Sequence, residues 1–572
     1  MMHRASVPIA LGLICLALAG HIQAEARVQP SQGRYWDRTW RIDENHLIWW
    51  DDKPYIRYGF TGNGDVDRLI RLGFSQFNVG PSEQLWAASD DPAQRKEAVR
   101  QVDEFTERLV ARGATYYANL NILWPTSDRI APEDKVTCVV KRVWDITLLG
   151  RDRPLEVSFV SETRLQLDRA GSRVYLFDMT SGQYRDISSK LKDIRTAREV
   201  SRESSGERGT ANRHTLVLEP GDLPASGDLR ITFIGSMERE YVPGVYPSGL
   251  PALWKPGIRR YFRDSLASLK TAYGKEGLRG MSFGDEINTH RTSLLAAGMY
   301  LDLGNDAIAM RAYRDWLKER FKTIADLNAF LNMRLGSFED MTWRICLYPF
   351  MERERRREEE KSHTFGLFDS FEQLERLGNL QDQFRVWFYG HWLAEYGRMA
   401  KEIIGPVPVF VTSAGLGGPA QEYLQIHQYA LLEGLDGLSR NHYAWVGRTE
   451  GGRLATFVPG SRMRFPLETV TEMLDSVQRQ SGQTKAYWAN EFGRPRREEE
   501  GFVDDFGLGH QFSFPSKEDL RDFLTVLIDN GYKGFNMFKM NPSVEAAQQE
   551  VQWMAELKEE ILRKIVGEAR TP

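Results

Sequence analysis

Cysteine is scarce: the chain of 572 residues holds three, Cys15, Cys138 and Cys346. The first lies in an apolar leader, and two others so far apart define no disulfide framework. The ten histidines are scattered. Neither His-Glu-x-x-His nor Cys-x-x-Cys occurs, so no metal centre and no cofactor is expected. An excess of one charge is missing too, with 75 Lys and Arg facing 79 Asp and Glu. That balance excludes a nucleic-acid footprint. Beyond the first two dozen residues no run is apolar and long enough to span a bilayer.

The leader itself is distinct. His3 and Arg4 precede an apolar run from Val7 to Ala19, and Gln23-Ala24-Glu25-Ala26 supplies small residues for cleavage. Residues 1–26 read as a signal peptide, which implies export to the periplasm or beyond the cell, with no stable membrane insertion afterwards. Aromatics are plentiful, with 15 Trp, 21 Tyr and 29 Phe. They suit stacking on sugars, and apolar cores use them as heavily.

Strand and helix signals alternate along most of the chain. Leu47–Trp50 and Pro54–Arg57 flank an Asp-Asp-Lys-Pro turn, and the second run is expected to continue through Gly59-Phe60 as the first core strand. Helix 65–72, strand 74–79, helix 92–113 and strand 116–121 follow. From 135 to 240 the alternation stops, and β-rich runs separated by turn signals predict an inserted antiparallel β-domain with a mobile polar tip around Ser201–Asn212. Met351–Ser362 is densely charged and reads as a solvated surface segment. Helices at 255–273, 307–321, 324–331, 381–404, 467–480, 516–530 and 543–566 alternate with strands ending near Glu286, Val411, Tyr443, Glu491 and Phe538. Eight strand–helix units predict an α/β fold, a (β/α)8 TIM barrel with an antiparallel β-domain inserted after strand three. The barrel is then built from residues 27–134 and 241–572.

Two strand ends carry the chemistry. Gly280-Met281-Ser282-Phe283-Gly284-Asp285-Glu286-Ile287-Asn288 closes strand four, and Lys485-Ala486-Tyr487-Trp488-Ala489-Asn490-Glu491-Phe492-Gly493 closes strand seven. Carboxylates where buried strands emerge are costly unless paired or used. In this fold, active sites lie at the C-terminal strand ends. Two glutamates facing one another there are what glycoside hydrolysis requires, one protonated and one ionised. A lone strand-end glutamate would by default be a structural charge; two at matching strands weigh against that.

These motifs resemble the retaining glycoside hydrolases of clan A, the 4/7 superfamily. Within it, Tyr313-Arg314-Asp315-Trp316-Leu317-Lys318-Glu319-Arg320-Phe321-Lys322-Thr323-Ile324-Ala325-Asp326-Leu327-Asn328 is similar to the segment after strand four in the family 42 β-galactosidase-like enzymes. Asp52-Lys53-Pro54 resembles the clan's usual opening. The resemblance implies Glu286 as acid/base, Glu491 as nucleophile, Tyr443 as the hydrogen-bond partner of the nucleophile, and an oligo- or polysaccharide substrate. The clan places Asn before the acid/base, where this chain has Asp285, whose charge would favour the protonated form of Glu286. Asn288, Asn441 and His442 are further candidates for sugar contacts, and Trp124 and Trp488 for aromatic platforms, with backbone pairing or wall packing the alternative for each. A non-catalytic carbohydrate-binding barrel and a transglycosylase remain the alternative functions.

Overall fold

The structure is a computed structural model that describes residues 31–81, 86, 91–120, 131, 134, 136–150, 152–161, 165–166, 172–178, 184–202, 208–239, 252–287, 299–301, 303, 306–341, 371–413, 433–443, 445–448, 454–457, 468–493, 514–539, 542 and 545–568. Eight strands form one parallel sheet: β1 (Tyr58–Phe60), β2 (Gln76–Val79), β3 (Thr115–Asn119), β4 (Leu278–Ile287), β5 (Val409–Ser413), β6 (Gly437–Tyr443), β7 (Ala486–Gly493) and β8 (Phe535–Met537). Each pairs with its neighbour in sequence from β2 to β8, and β8 pairs with β1. The sheet is thereby nearly a closed barrel. Side chains bridge the last seam, where Tyr58 N donates to Gln76 Oε1 at 3.2 Å and Asn78 Nδ2 donates to the Thr61 carbonyl at 3.3 Å.

Among the described residues the helices between and after the strands are α1 (Val66–Arg71), α2 (Pro92–Ala111), α3 (Pro256–Tyr273), α4 (Ala307–Phe321), α5 (Ile324–Leu331), α6 (Phe371–Ile403), α7 (Glu468–Ser481), α8 (Lys517–Asp529) and α9 (Glu545–Glu568), with residues 414–432 between β5 and β6 outside that description. Their ends follow local chemistry. Asp91 caps α2 by accepting from Ala93 N with Pro92 behind it, and Ser516 caps α8 by accepting from Asp519 N. Their inner faces bury one stripe each, as Ile258, Phe262, Leu266 and Leu269 do on α3. Helix α6 starts ten residues before its expected N-terminus at 381. Leu377 and Leu380 extend its buried face, outweighing the helix penalty of Gly378.

Large aromatic rings fill the barrel interior. Phe410 of β5 stacks on Trp488 of β7 with centroids 3.9 Å apart, and Tyr117 of β3 lies 5.2 Å from Trp488. Glycines on intervening strands make the room. A Cβ on Gly280 of β4 would stand 2.3 Å from the Tyr117 ring, and one on Gly437 of β6 would stand 2.2 Å from Phe410.

The first strand is shorter than the sequence suggests. Lys53–Tyr55 pairs antiparallel with Ile48–Trp50, and with Gln32–Tyr35 and Arg38–Ile42 these build a separate four-stranded sheet. Asp51 and Asp52 both take positive φ, 47° and 58°, the conformation of a tight hairpin. Nothing in Tyr55-Ile56-Arg57-Tyr58 breaks a strand locally, so the separation is tertiary. This sheet covers the N-terminal face of the barrel. Trp40 Nε1 donates to the Pro406 carbonyl at 2.7 Å, just before β5, and Thr484 Oγ1 donates to the Ile42 carbonyl at 2.6 Å, just before β7. The C-terminal rim is left for chemistry.

Between β3 and α3 the chain runs through antiparallel strands. Val136–Leu148 pairs along its whole length with Gly227–Arg239, which also pairs with Arg173–Asp178, and Arg208–Leu218 lies between Arg195–Arg202 and Leu155–Ser161. Leu148, Val157, Val174, Leu216, Leu229 and Phe233 belong to an apolar cluster separate from the barrel's. At the flanks of the expected polar tip, Ser201 pairs with Gly209 and Arg198 with Asn212 in a regular ladder, while residues 203–207 lie outside the described residues. Cross-strand pairing satisfies those backbone groups despite the polar side chains. Residues 1–26, 351–362 and Cys346 lie outside the described residues, and so does any pairing of Cys346 with Cys138.

Candidate active site at the C-terminal rim

Glu491 is the third-last residue of β7, partly exposed. Opposite β6, the register runs Ser439 to Trp488 and Arg440 to Ala489, then jumps so that Asn441 faces Glu491. Asn490 is the extra residue of a bulge. Residues paired in a parallel ladder project to the same side, and Phe492, next along, stacks on Phe523 of α8 outside the barrel. Glu491 is therefore turned inward beside Asn441, and the bulge aims Asn490 inward as well. Asn490 Nδ2 donates to Asn441 Oδ1 at 3.2 Å.

Beneath this pair lies Arg57, buried just before β1. Its guanidinium donates to Asn490 Oδ1 at 3.2 Å, to Asn78 Oδ1, and from Nε to Asn536 Oδ1 at 2.8 Å, the last with the amide orientation that the hydrogen bonds require. It also lies over the Tyr117 ring at 4.5 Å and that of Trp488 at 5.5 Å. Burial pushes the Arg57 pKa down, while Tyr117, Tyr55 and Glu491 pull it up. Glu491 is thus near enough for the two charges to attract. Burial raises Tyr117 well above the usual phenol range, so it stays neutral beside the guanidinium. A polar layer of one guanidinium and several amides rests on the aromatic layer and leads up to the carboxylate.

The remaining candidates divide by position. Asp285 and Glu286 lie on the last residues of β4, and His442 and Tyr443 end β6; their side chains lie outside what the structure describes. In the sheet order β5 and β6 separate β4 from β7, so the two glutamate-bearing strand ends stand across the barrel mouth from one another. Asn288 and Trp124 lie outside the described residues. Trp488 is fully buried within the aromatic layer and packs as core, not as a platform facing the cleft. Lys539, past the end of β8, is also fully buried and pairs with Glu550 of α9 at 2.7 Å. Among the described residues no cluster of His, Cys, Asp and Glu could hold a metal ion, and no helix is long and apolar enough to cross a membrane.

The sequence reading missed Arg57, Asn78, Asn490 and Asn536. A signal was present: β2, β3, β6, β7 and β8 each carry an Asn near the C-terminal end, at Asn78, Asn119, Asn441, Asn490 and Asn536. Asn is depleted in strands, so its repetition at strand ends marks a shared polar layer.

No protein-family model matches the chain, and no curated protein matches it. Solved structures similar to it include an exo-β-agarase, at 14% identity and TM-score 0.37, with 56% of this chain and 40% of that one covered. A β-galactosidase from Bacillus circulans sp. alkalophilus shows 13% identity and TM-score 0.35, over 57% and 42% of the two chains. A rhamnosidase from Novosphingobium sp. PP1Y shows 10% identity and TM-score 0.38, over 89% and 59%. The chain spans less than two thirds of the length of each, and likenesses this loose carry no weight for activity.

Proposed function

We propose that this chain is an exported retaining β-glycoside hydrolase acting on an oligo- or polysaccharide. One observation carries the reading: β4 and β7 of an eight-stranded parallel barrel sheet each carry a glutamate near the C-terminal end, at Glu286 and Glu491. A Glu491 carboxylate oxygen attacks the anomeric carbon as the bond to the leaving oxygen breaks, and Glu286 gives that oxygen its proton. Water then attacks the same carbon, Glu286 takes its proton, and the bond to Glu491 breaks. Retention requires the two carboxyls to lie ~5 Å apart. The antiparallel segment between β3 and α3 is read as an inserted domain on the catalytic side of the barrel, where it would help shape the cleft. The leader motivates export to the periplasm or the medium.

The test is a pair of variants assayed on aryl glycosides and oligosaccharides. Glu491→Ala and Glu286→Ala should each lower hydrolysis by several orders of magnitude, and azide should rescue one of them. Full activity in either variant would overturn the assignment.

A further inference from the structure

At the N-terminal face of the barrel a buried arginine meets several unmet donors. Arg279, the second residue of β4, is less than a tenth exposed, and its guanidinium lies over the Trp50 ring at 4.8 Å. Both of its hydrogen bonds leave from Nη1, to the Glu276 carbonyl at 2.6 Å and the Leu278 carbonyl at 3.0 Å. Among the described residues no carboxylate pairs with it directly. Asp51 is taken by Arg38 Nη1 at 3.2 Å and by the Thr39 amide at 2.9 Å. Burial pushes the Arg279 pKa down and Arg38 adds to the push, while Tyr55, Asp51 and Glu276 pull it up.

The register of the four-stranded sheet decides what faces this cation. Tyr35 pairs with Arg38, Trp40 with Trp50 and Ile48 with Tyr55, and partners in a ladder project to the same side. With the alternation along each strand, Tyr35, Arg38, Trp40, Trp50 and Tyr55 share one face. That face is turned to the barrel, because Trp40 on it donates to the Pro406 carbonyl. Tyr35, Trp50 and Tyr55 are each less than a tenth exposed, and Tyr35 Oη, Trp50 Nε1 and Tyr55 Oη have no hydrogen-bond partner. The Trp36 indole approaches Tyr35 without completing a bond, and the Thr115 hydroxyl beside Tyr55 donates to the Ser75 carbonyl at 3.1 Å instead. Burial raises both phenols above their ordinary range, so each keeps an O–H to give. Arg38, at the hairpin end of the same face, stays exposed and leaves a cationic approach from solvent.

We propose that Arg279, Tyr35, Trp50 and Tyr55 form a binding site for one small oxyanion between the barrel and the four-stranded sheet. A buried guanidinium needs acceptors and a counter-charge. Water accepts hydrogen bonds from phenols and an indole but brings no charge to offset the cation. An oxyanion supplies both, since its several oxygens accept from different donors at once. The site is at the end of the barrel opposite the catalytic rim, so it stands apart from the glycosidase reading.

Equilibrium dialysis of the full chain against radiolabelled inorganic phosphate tests the proposal. The wild type should bind phosphate saturably, at one equivalent per chain. Arg279→Met should weaken binding on the order of 10- to 100-fold. Tyr55→Phe and Trp50→Phe each remove one donor and keep the ring, and should weaken it about 3- to 10-fold with the far-UV circular dichroism unchanged. Displacement by sulfate alone would assign the site to inorganic oxyanions, and displacement by acetate as well would extend it to carboxylates. A wild type without saturable binding would overturn the proposal, as would folded Tyr55→Phe and Trp50→Phe variants that bind phosphate as the wild type does. A crystal structure grown in phosphate with only water between Arg279 and Tyr55 would overturn it equally.

Discussion

Arg57 shows how one residue can organise a site while leaving almost no trace in sequence. It stands in Tyr55-Ile56-Arg57-Tyr58 as a lone charge in an apolar run, and no periodicity marks it. Burying a guanidinium is costly unless its donors are met, and here Asn78, Asn490 and Asn536 from three other strands meet them. Asn78 is 21 residues away and the other two are more than 400, which is why spacing could not find the set although Glu491 itself stood out. The same limit applies to Trp488, whose burial comes from Phe410 and Tyr117 on other strands. Arg57→Met should remove the cation that attracts Glu491 and leave three amide oxygens short of a donor. We expect kcat to fall about 100-fold, and the acid limb of the pH–rate profile to move to higher pH, because a carboxylate deprived of a nearby cation ionises less readily. Arg57→Lys restores charge without the fork and should recover the pH limb more than the rate. An unchanged acid limb in Arg57→Met would show that the two charges do not communicate.

Elements were far more legible than the contacts between them. The helices announced themselves through amphipathic stripes and caps, and α4 and α5 occupy the expected ranges, Ala307–Phe321 and Ile324–Leu331. Strand ends differ by a residue or two, and of the antiparallel sheet under the barrel the sequence marks only the last two strands, the second of which, Lys53–Tyr55, runs on into β1 in the pattern because strands of three to five residues carry little periodicity. The start of α4 makes the local logic testable. Asp306 accepts from Ile308 N and Ala309 N as N-cap, from Trp254 Nε1 at 2.9 Å, and pairs with Lys255 Nζ at 2.8 Å. Burial alone would raise its pKa, but Lys255, the Ala309 amide and the Trp254 indole together hold it below the ordinary range. Asp306→Ala should cost about 2–4 kcal/mol in urea denaturation, a lost cap plus a half-buried ammonium without its partner. Asp306→Asn keeps the cap and should cost less than half as much. Since the folded pKa is depressed, the ion-pair contribution is present above the unfolded aspartate range and lost as pH falls through the folded value, so the gap between Asn and wild type should close in acid.

At the scale of the whole molecule, the four-stranded sheet seals one barrel face and charged groups are buried along the seam. His46, on that sheet, has Nδ1 3.0 Å from the Lys485 carbonyl and Nε2 3.2 Å from Asp475 Oδ1 of α7. Lys485 itself turns inward, donating to the Leu435 carbonyl at 2.6 Å and to Gln483 Oε1 at 2.9 Å. Burial pushes its pKa down to about 8 from the ordinary 10.5, against the pull of Asp436 and with the push of Lys401. The sign follows directly. Between about pH 8 and 10.5 the unfolded chain holds a proton on this lysine that the folded chain has shed, so stability from this group rises with pH across that window. Below pH 8 the folded protein bears the full cost of burying the charge, roughly 3 kcal/mol for a shift of this size. Buried tyrosines act oppositely above pH 10, because Tyr58 and Tyr116 keep their protons when folded and lose them when unfolded. The clean window is therefore pH 7.5 to about 9.5, and the informative quantity is the difference between wild type and Lys485→Met. That variant leaves the Leu435 carbonyl unmet, which offsets part of its gain at neutral pH, but it has nothing to titrate. Urea midpoints of the wild type should climb relative to the variant as pH rises through the window, and parallel curves would show that Lys485 is not buried as a charge at all.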